Sequence, residues 1–145
     1  MKSRLLKLIG LRSNDYREIL ISYRFLLSAG WRIFVRKENL DRWAVNRPSP
    51  SAKQPLTQPI RDATTRKARW INAAARHPLP WARCLQRSLA LCLWMESEGI
   101  RPELKIGVRK NGVALVAHAW VEYHGQVLND SLDRLQEFAP LTGGN

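Results

Sequence analysis

The stretch Leu89–Met95 carries no polar side chain except the thiol of Cys92, counting Trp94 as apolar. A helix that is apolar all round is a buried helix. The surrounding pattern predicts a helix from about Trp81 to Glu98, with Gly99 as its stop. After Gly99 the period changes. Glu103–Arg109 and Ala114–Tyr123 favour strand, and Val127–Asp130 reads as a third, short one. Lys110-Asn111-Gly112 and His124-Gly125-Gln126 are the expected turns. Helices followed by an antiparallel meander make an α+β fold.

Two further helices precede the buried one. Over residues 14–38, Tyr16, Ile19, Leu20, Tyr23, Leu26, Leu27, Trp31 and Phe34 recur at three- and four-residue steps and form one apolar stripe. Asn14 can cap this helix, and Asp15 and Glu18 suit the positive end of its dipole. Residues 60–76 form the next helix, with Ile60, Ala63, Trp70, Ile71 and Ala74 inward; His77-Pro78-Leu79-Pro80 ends it. Between these helices lies a linker, residues 46–59, which holds Pro48, Pro50, Pro55 and Pro59. The organisation read from the sequence is a basic helical region at 1–45, the linker at 46–59 and the main body at 60–145.

The 145 residues suit one domain with short appendages, and a hydrophobic content of 45% excludes global disorder. The net charge of +12 is unevenly placed. Residues 1–83 hold 18 Lys/Arg against 5 Asp/Glu, or +13; residues 84–145 hold 6 against 7, or −1. Such asymmetry points to nucleic acid, an anionic membrane or an acidic protein partner. Arg17, Arg24 and Arg32 lie mostly off the apolar stripe, as a solvated face or a docking face. No segment has the ~18 apolar residues of a membrane span. Met1–Leu11 lacks the apolar run and cleavage site of a signal peptide, and with only two cysteines a reducing, cytoplasmic setting is expected.

Two cysteines cannot build a disulfide scaffold. Cys84 and Cys92 lie eight residues apart on one helix, about 12 Å along its axis, too far to pair. Cys92 sits in the apolar stretch. Cys84 sits in the first turn, where free N–H groups and the helix dipole favour a thiolate. His118 lies on the second strand between two alanines; His77 and His124 are weaker candidates, in a Pro-flanked loop and a turn. Asp130 follows His118 by twelve residues. A three-residue loop at 124–126 would pair Tyr123 with Val127 and put His118 and Asp130 diagonally on one face; a two-residue loop would part them. Glu122 and Asp133 are the rival acids. A thiol at a helix start, an imidazole and an orienting carboxylate are the parts of covalent acyl transfer. The two cysteines and three separated histidines form no zinc pattern, and no metal or cofactor is expected.

Four segments in order, Cys84-Leu85-Gln86-Arg87-Ser88-Leu89-Ala90-Leu91, Ile106-Gly107-Val108-Arg109, Ala117-His118-Ala119-Trp120-Val121-Glu122 and Val127-Leu128-Asn129-Asp130, resemble the stand-alone leader peptidase of bacterial lasso-peptide biosynthesis. Lys110–Val116 departs from the family's pattern as a variable turn. The resemblance implies a papain- and transglutaminase-like core over 60–145, with Cys84, His118 and Asp130 as its triad. It implies a substrate too, the leader region of a ribosomally made precursor. Two partners follow, a separate leader-recognition protein and an ATP-dependent lasso cyclase. The backbone N–H of Cys84 is the expected oxyanion donor; Trp81 and Gln86 are candidates for the second. Two other readings compete: a cysteine acyltransferase that ends in transamidation, and a basic nucleic-acid-binding module using Trp31, Trp43 or Trp70. The latter does not account for the Cys84, His118 and Asp130 set, and no nucleic-acid motif is present. Arg17, Arg24 and Arg32 are then expected to dock the protein onto its partner complex.

Overall fold

The structure, a computed structural model, describes residues 13–36, 56–76 and 82–141. The elements run α1 (Ser13–Phe34), α2 (Gln58–Arg76), α3 (Cys84–Ser97), β1 (Glu103–Asn111), β2 (Ala114–Tyr123), β3 (Gln126–Val127), α4 (Leu132–Leu135) and β4 (Ala139–Pro140). All strand pairings are antiparallel, and the sheet order is β3-β2-β1-β4. The α+β class expected from the sequence is the one observed.

α3 is the centre of the molecule. Leu89, Ala90, Leu91, Cys92 and Met95 are all at most 1% exposed. Around them pack Leu26 and Ala29 of α1, Ile71, Ala74 and Ala75 of α2, and Leu104, Ala119 and Val121 of the sheet. α1 therefore shares one core with α2 and α3. The first turn of α2 takes in Gln58 and Pro59, the last residues of the expected linker, while 46–55 lie outside the described residues. Pro59 is tolerated there because its missing N–H has no helical acceptor in the first turn. α3 ends as expected: Gly99 takes φ +80°, and Ile100 N–H reaches back to the Met95 carbonyl at 3.0 Å, closing a Schellman turn.

Five details differ from expectation. Of the expected α1 stripe, Leu26 enters the core, but five of the eight side chains stay outside it. Tyr16, Leu20, Leu27, Trp31 and Phe34 are about half exposed or more, and the buried side is Ser22, Leu26, Ala29 and Gly30. Close approach of α1 to two helices favours small residues, and a second three–four repeat supplies them. The helix also stops at Phe34 rather than 38. The first hairpin turns on Gly112-Val113, since Asn111 pairs with Ala114. The second turns on His124-Gly125, since Tyr123 pairs with Gln126; both residues have positive φ, the geometry of a tight two-residue turn. Finally, the third strand ends at Val127, so Asp130 is not in a strand.

Candidate active site

Cys84 lies in the first turn of α3 as expected, and is its first residue, because the helix begins three residues after the expected start at Trp81. Arg83 is the N-cap in extended conformation, and its N–H donates to Gln86 Oε1 at 3.0 Å. The first intrahelical bond runs from Arg87 N–H to the Arg83 carbonyl. The N–H groups of Cys84, Leu85 and Gln86 thus have no acceptor within the helix. Arg87 Nε donates to the Ala82 carbonyl at 2.7 Å and ties down the chain just before the cap. The Gln86 side chain is 6% exposed and engaged in the cap, which argues against it as an oxyanion donor. Trp81 and His77 lie outside the described residues.

His118 and Asp130 meet directly: Nε2 and Oδ2 are 2.5 Å apart, and both side chains are about nine-tenths buried. The route differs from the expected one. The two-residue turn gives Asp130 the opposite parity from His118, so a continued ladder would part them. Instead the chain leaves the sheet after Leu128, whose N–H still bonds the Val121 carbonyl. Asn129 then substitutes for backbone. Its Oδ1 accepts from Val121 N–H at 2.8 Å, and its Nδ2 donates to Ser88 Oγ at 2.9 Å. Ser88 Oγ in turn donates to the Ala119 carbonyl at 3.0 Å. This network links α3, β2 and the segment bearing Asp130. Sequence reasoning singled out neither Ser88 nor Asn129, since both adjoin other polar residues.

Two aromatic rings neighbour the imidazole. The rings of Trp120 and Phe138 lie 6.3 and 5.2 Å from it, centroid to centroid. Trp120 lies against Gly107, where an added Cβ would come within 2.9 Å of the indole. Phe138 comes from the segment between α4 and β4, two short elements the sequence pattern did not reveal. Among the rival acids, Glu122 accepts from Trp120 Nε1 at 2.7 Å, and Asp133 is exposed on α4. His124 sits in the turn against Tyr123.

Cys84, His118 and Asp130 line one cleft of about 540 Å³. Cys84 lies one turn before Ser88 on the same helix face, and the lining includes Ala117 and Ala119 of β2. Among the described residues no hydrogen bond joins the thiol to His118. Such contacts commonly tighten only when substrate is bound. Asp130 engages Nε2, so Nδ1 is the imidazole nitrogen that this pair does not use. Cys92 is fully buried and outside the cleft. No group of three or more His, Cys, Asp or Glu suited to a metal occurs among the described residues. No helix among them is long and apolar enough to cross a membrane.

A family model described as the transglutaminase-like superfamily matches residues 26–143. No curated protein and no solved structure matches the chain.

Proposed function

The chain belongs to the transglutaminase-like superfamily, whose fold is that of cysteine-protease-like enzymes, and on that premise we propose that it is a leader peptidase of lasso-peptide biosynthesis. Its substrate is a ribosomally made precursor, and cleavage at the leader–core junction frees the amine that an ATP-dependent cyclase then uses. A separate leader-binding protein presents the precursor. The observation that carries the reading is the His118–Asp130 pair in the cleft that Cys84 lines at the start of α3.

In this mechanism His118 Nδ1 takes the thiol proton, and Cys84 Sγ attacks the junction carbonyl. The free N–H groups of the first turn, Cys84 foremost, stabilise the oxyanion. His118 passes its proton to the departing core amine. It then activates the water that hydrolyses the thioester and restores the thiol. Asp130 accepts from Nε2–H and fixes the tautomer throughout.

The +13 charge of residues 1–83 belongs, in this reading, to assembly rather than chemistry. Arg17 and Arg24 are exposed on α1, beside the apolar side chains of Leu20, Leu27, Trp31 and Phe34 that the core leaves uncovered. An apolar patch with a charged rim is the make-up of a protein-docking face. Arg17, Arg24 and Arg32 then contact the leader-bearing partner complex.

The test is reconstitution. The full chain is mixed with a lasso precursor and the leader-binding protein, and products are read by mass spectrometry. Separate leader and core fragments are expected, with water added across the junction. A product joined to an added amine would instead assign the chain to transamidation.

A further inference from the structure

Five guanidinium groups line the candidate cleft: Arg76 at the end of α2, Arg83 and Arg87 at the start of α3, Arg109 on β1 and Arg134 on α4. They are scattered through the sequence and are brought together only by the fold. Three come from residues 84–145, the half whose net charge is −1, so the cleft does not simply inherit the basic character of the N-terminal part.

Two carboxylates share the lining, and both are engaged. Asp130 holds His118, and Glu137 pairs with Arg109 Nη1 at 3.2 Å. Arg87 bonds the Ala82 carbonyl. Arg76, Arg83 and Arg134 are exposed, and among the described residues no carboxylate pairs with any of them. Arg109 is itself under-satisfied, its Nε buried without an acceptor while its guanidinium stacks on Phe138. The helix dipole accounts for Arg76 singly, at a C-terminus. It does not account for convergence from four elements, which brings like charges together. A recess lined by one sign of charge concentrates its field and draws in the opposite sign.

We propose that this cleft selects a peptide whose Asp or Glu side chains flank the scissile bond, with the unpaired arginines as the selecting groups. The inference rests on the peptidase reading and names its substrate class. The planar fork of arginine matches a carboxylate in two parallel hydrogen bonds, which lysine cannot do.

The test uses the full chain carrying Cys84→Ala, so that nothing is turned over. Fluorescence anisotropy measures binding of a short rhodamine-labelled peptide rich in Asp and Glu, and of its Asn/Gln twin. An oligonucleotide of equal net charge is the third probe. The acidic peptide should bind more tightly than its twin by about tenfold, with the advantage shrinking as salt rises. Arg76→Gln with Arg134→Gln should remove most of that advantage; Arg17→Gln with Arg24→Gln should leave it. Equal binding of the two peptides overturns the proposal. So does an equal loss in the α1 variant, which would make the effect one of overall charge. Tighter binding of the oligonucleotide, lost with the cleft arginines, also overturns it and favours a nucleic acid. A chain that cleaves precursor yet shows no acidic preference loses this proposal and keeps the peptidase reading. Acidic selectivity without cleavage of any precursor overturns the peptidase reading and, with it, the placement of the acidic residues about a scissile bond.

Discussion

His118 Nε2 lies 2.5 Å from Asp130 Oδ2, although the turn between them would place the two residues on opposite faces of a continued hairpin. The contact exists because the chain breaks from the ladder at Asn129 and swings the next side chain around. Orientation of the imidazole therefore depends on an irregular segment held by side chains. Asp130→Ala should lower kcat by about 10²-fold, the usual scale of a lost acid–base contribution. Asp130→Asn keeps an acceptor of the same size and should retain clearly more activity. Steady-state cleavage rates of the two variants, with circular dichroism as a folding control, check the order.

Asn129 and Ser88 act on that pair from behind. Asn129→Ala leaves Val121 N–H without its acceptor and Ser88 Oγ without its donor. The expected cost is about 1–3 kcal/mol, with a fall in kcat as Asp130 loosens. Ser88→Ala should overlap with it rather than add. Denaturant melts of both single variants and the double variant measure the coupling.

Gly107 is fixed by packing, not by backbone geometry. A Cβ there would meet the Trp120 ring at 2.9 Å and Phe138 Cβ at 3.0 Å, the two side chains that flank His118. Gly107→Ala should cost about 1–3 kcal/mol. It should also reduce cleavage more than a core substitution of equal cost remote from the cleft. Thermal melts paired with activity measurements distinguish the two effects.

The two thiols should behave differently. Cys84 is partly exposed at a helix start and Cys92 is fully buried. Iodoacetamide should label Cys84 in the native protein and Cys92 only after unfolding, as peptide mapping will read. Cys92→Ala should cost about 1 kcal/mol and leave the cleavage rate of the folded protein unchanged.

If α1 is the docking face, charge reversal at Arg17, Arg24 and Arg32 should raise the Kd for the leader-binding protein by about tenfold or more. It should leave cleavage intact at saturating partner. Titration calorimetry and cleavage at two partner concentrations test this. An unchanged Kd would return these arginines to ordinary solvation.

The sequence made some of this legible and hid the rest for physical reasons. A helix apolar on all sides can only be buried, so α3 and its place at the centre followed from composition alone. Cys84 at its start followed too, because the Pro-rich loop bounds the helix. The face of α1 did not. Its large residues and its small ones each repeat at three and four, and only the close approach of α2 and α3 selects Ser22, Leu26, Ala29 and Gly30. The elements α4 and β4 are too short to hold a period, so Phe138 beside His118 was invisible. His118 and Asp130 were legible as a pair. The path that joins them was not, because it depends on Asn129 breaking the ladder after a two-residue turn, which no periodicity shows.

In the proposed reaction Cys84 is the nucleophile. The most direct measurement of that role is intact-protein mass spectrometry of a rapidly quenched reaction with precursor and leader-binding protein. The expected result is a covalent adduct on the wild-type chain, heavier by the leader less one water and mapped to Cys84, with neither adduct nor product from the Cys84→Ala chain. Full processing of the precursor by the folded Cys84→Ala chain would contradict it.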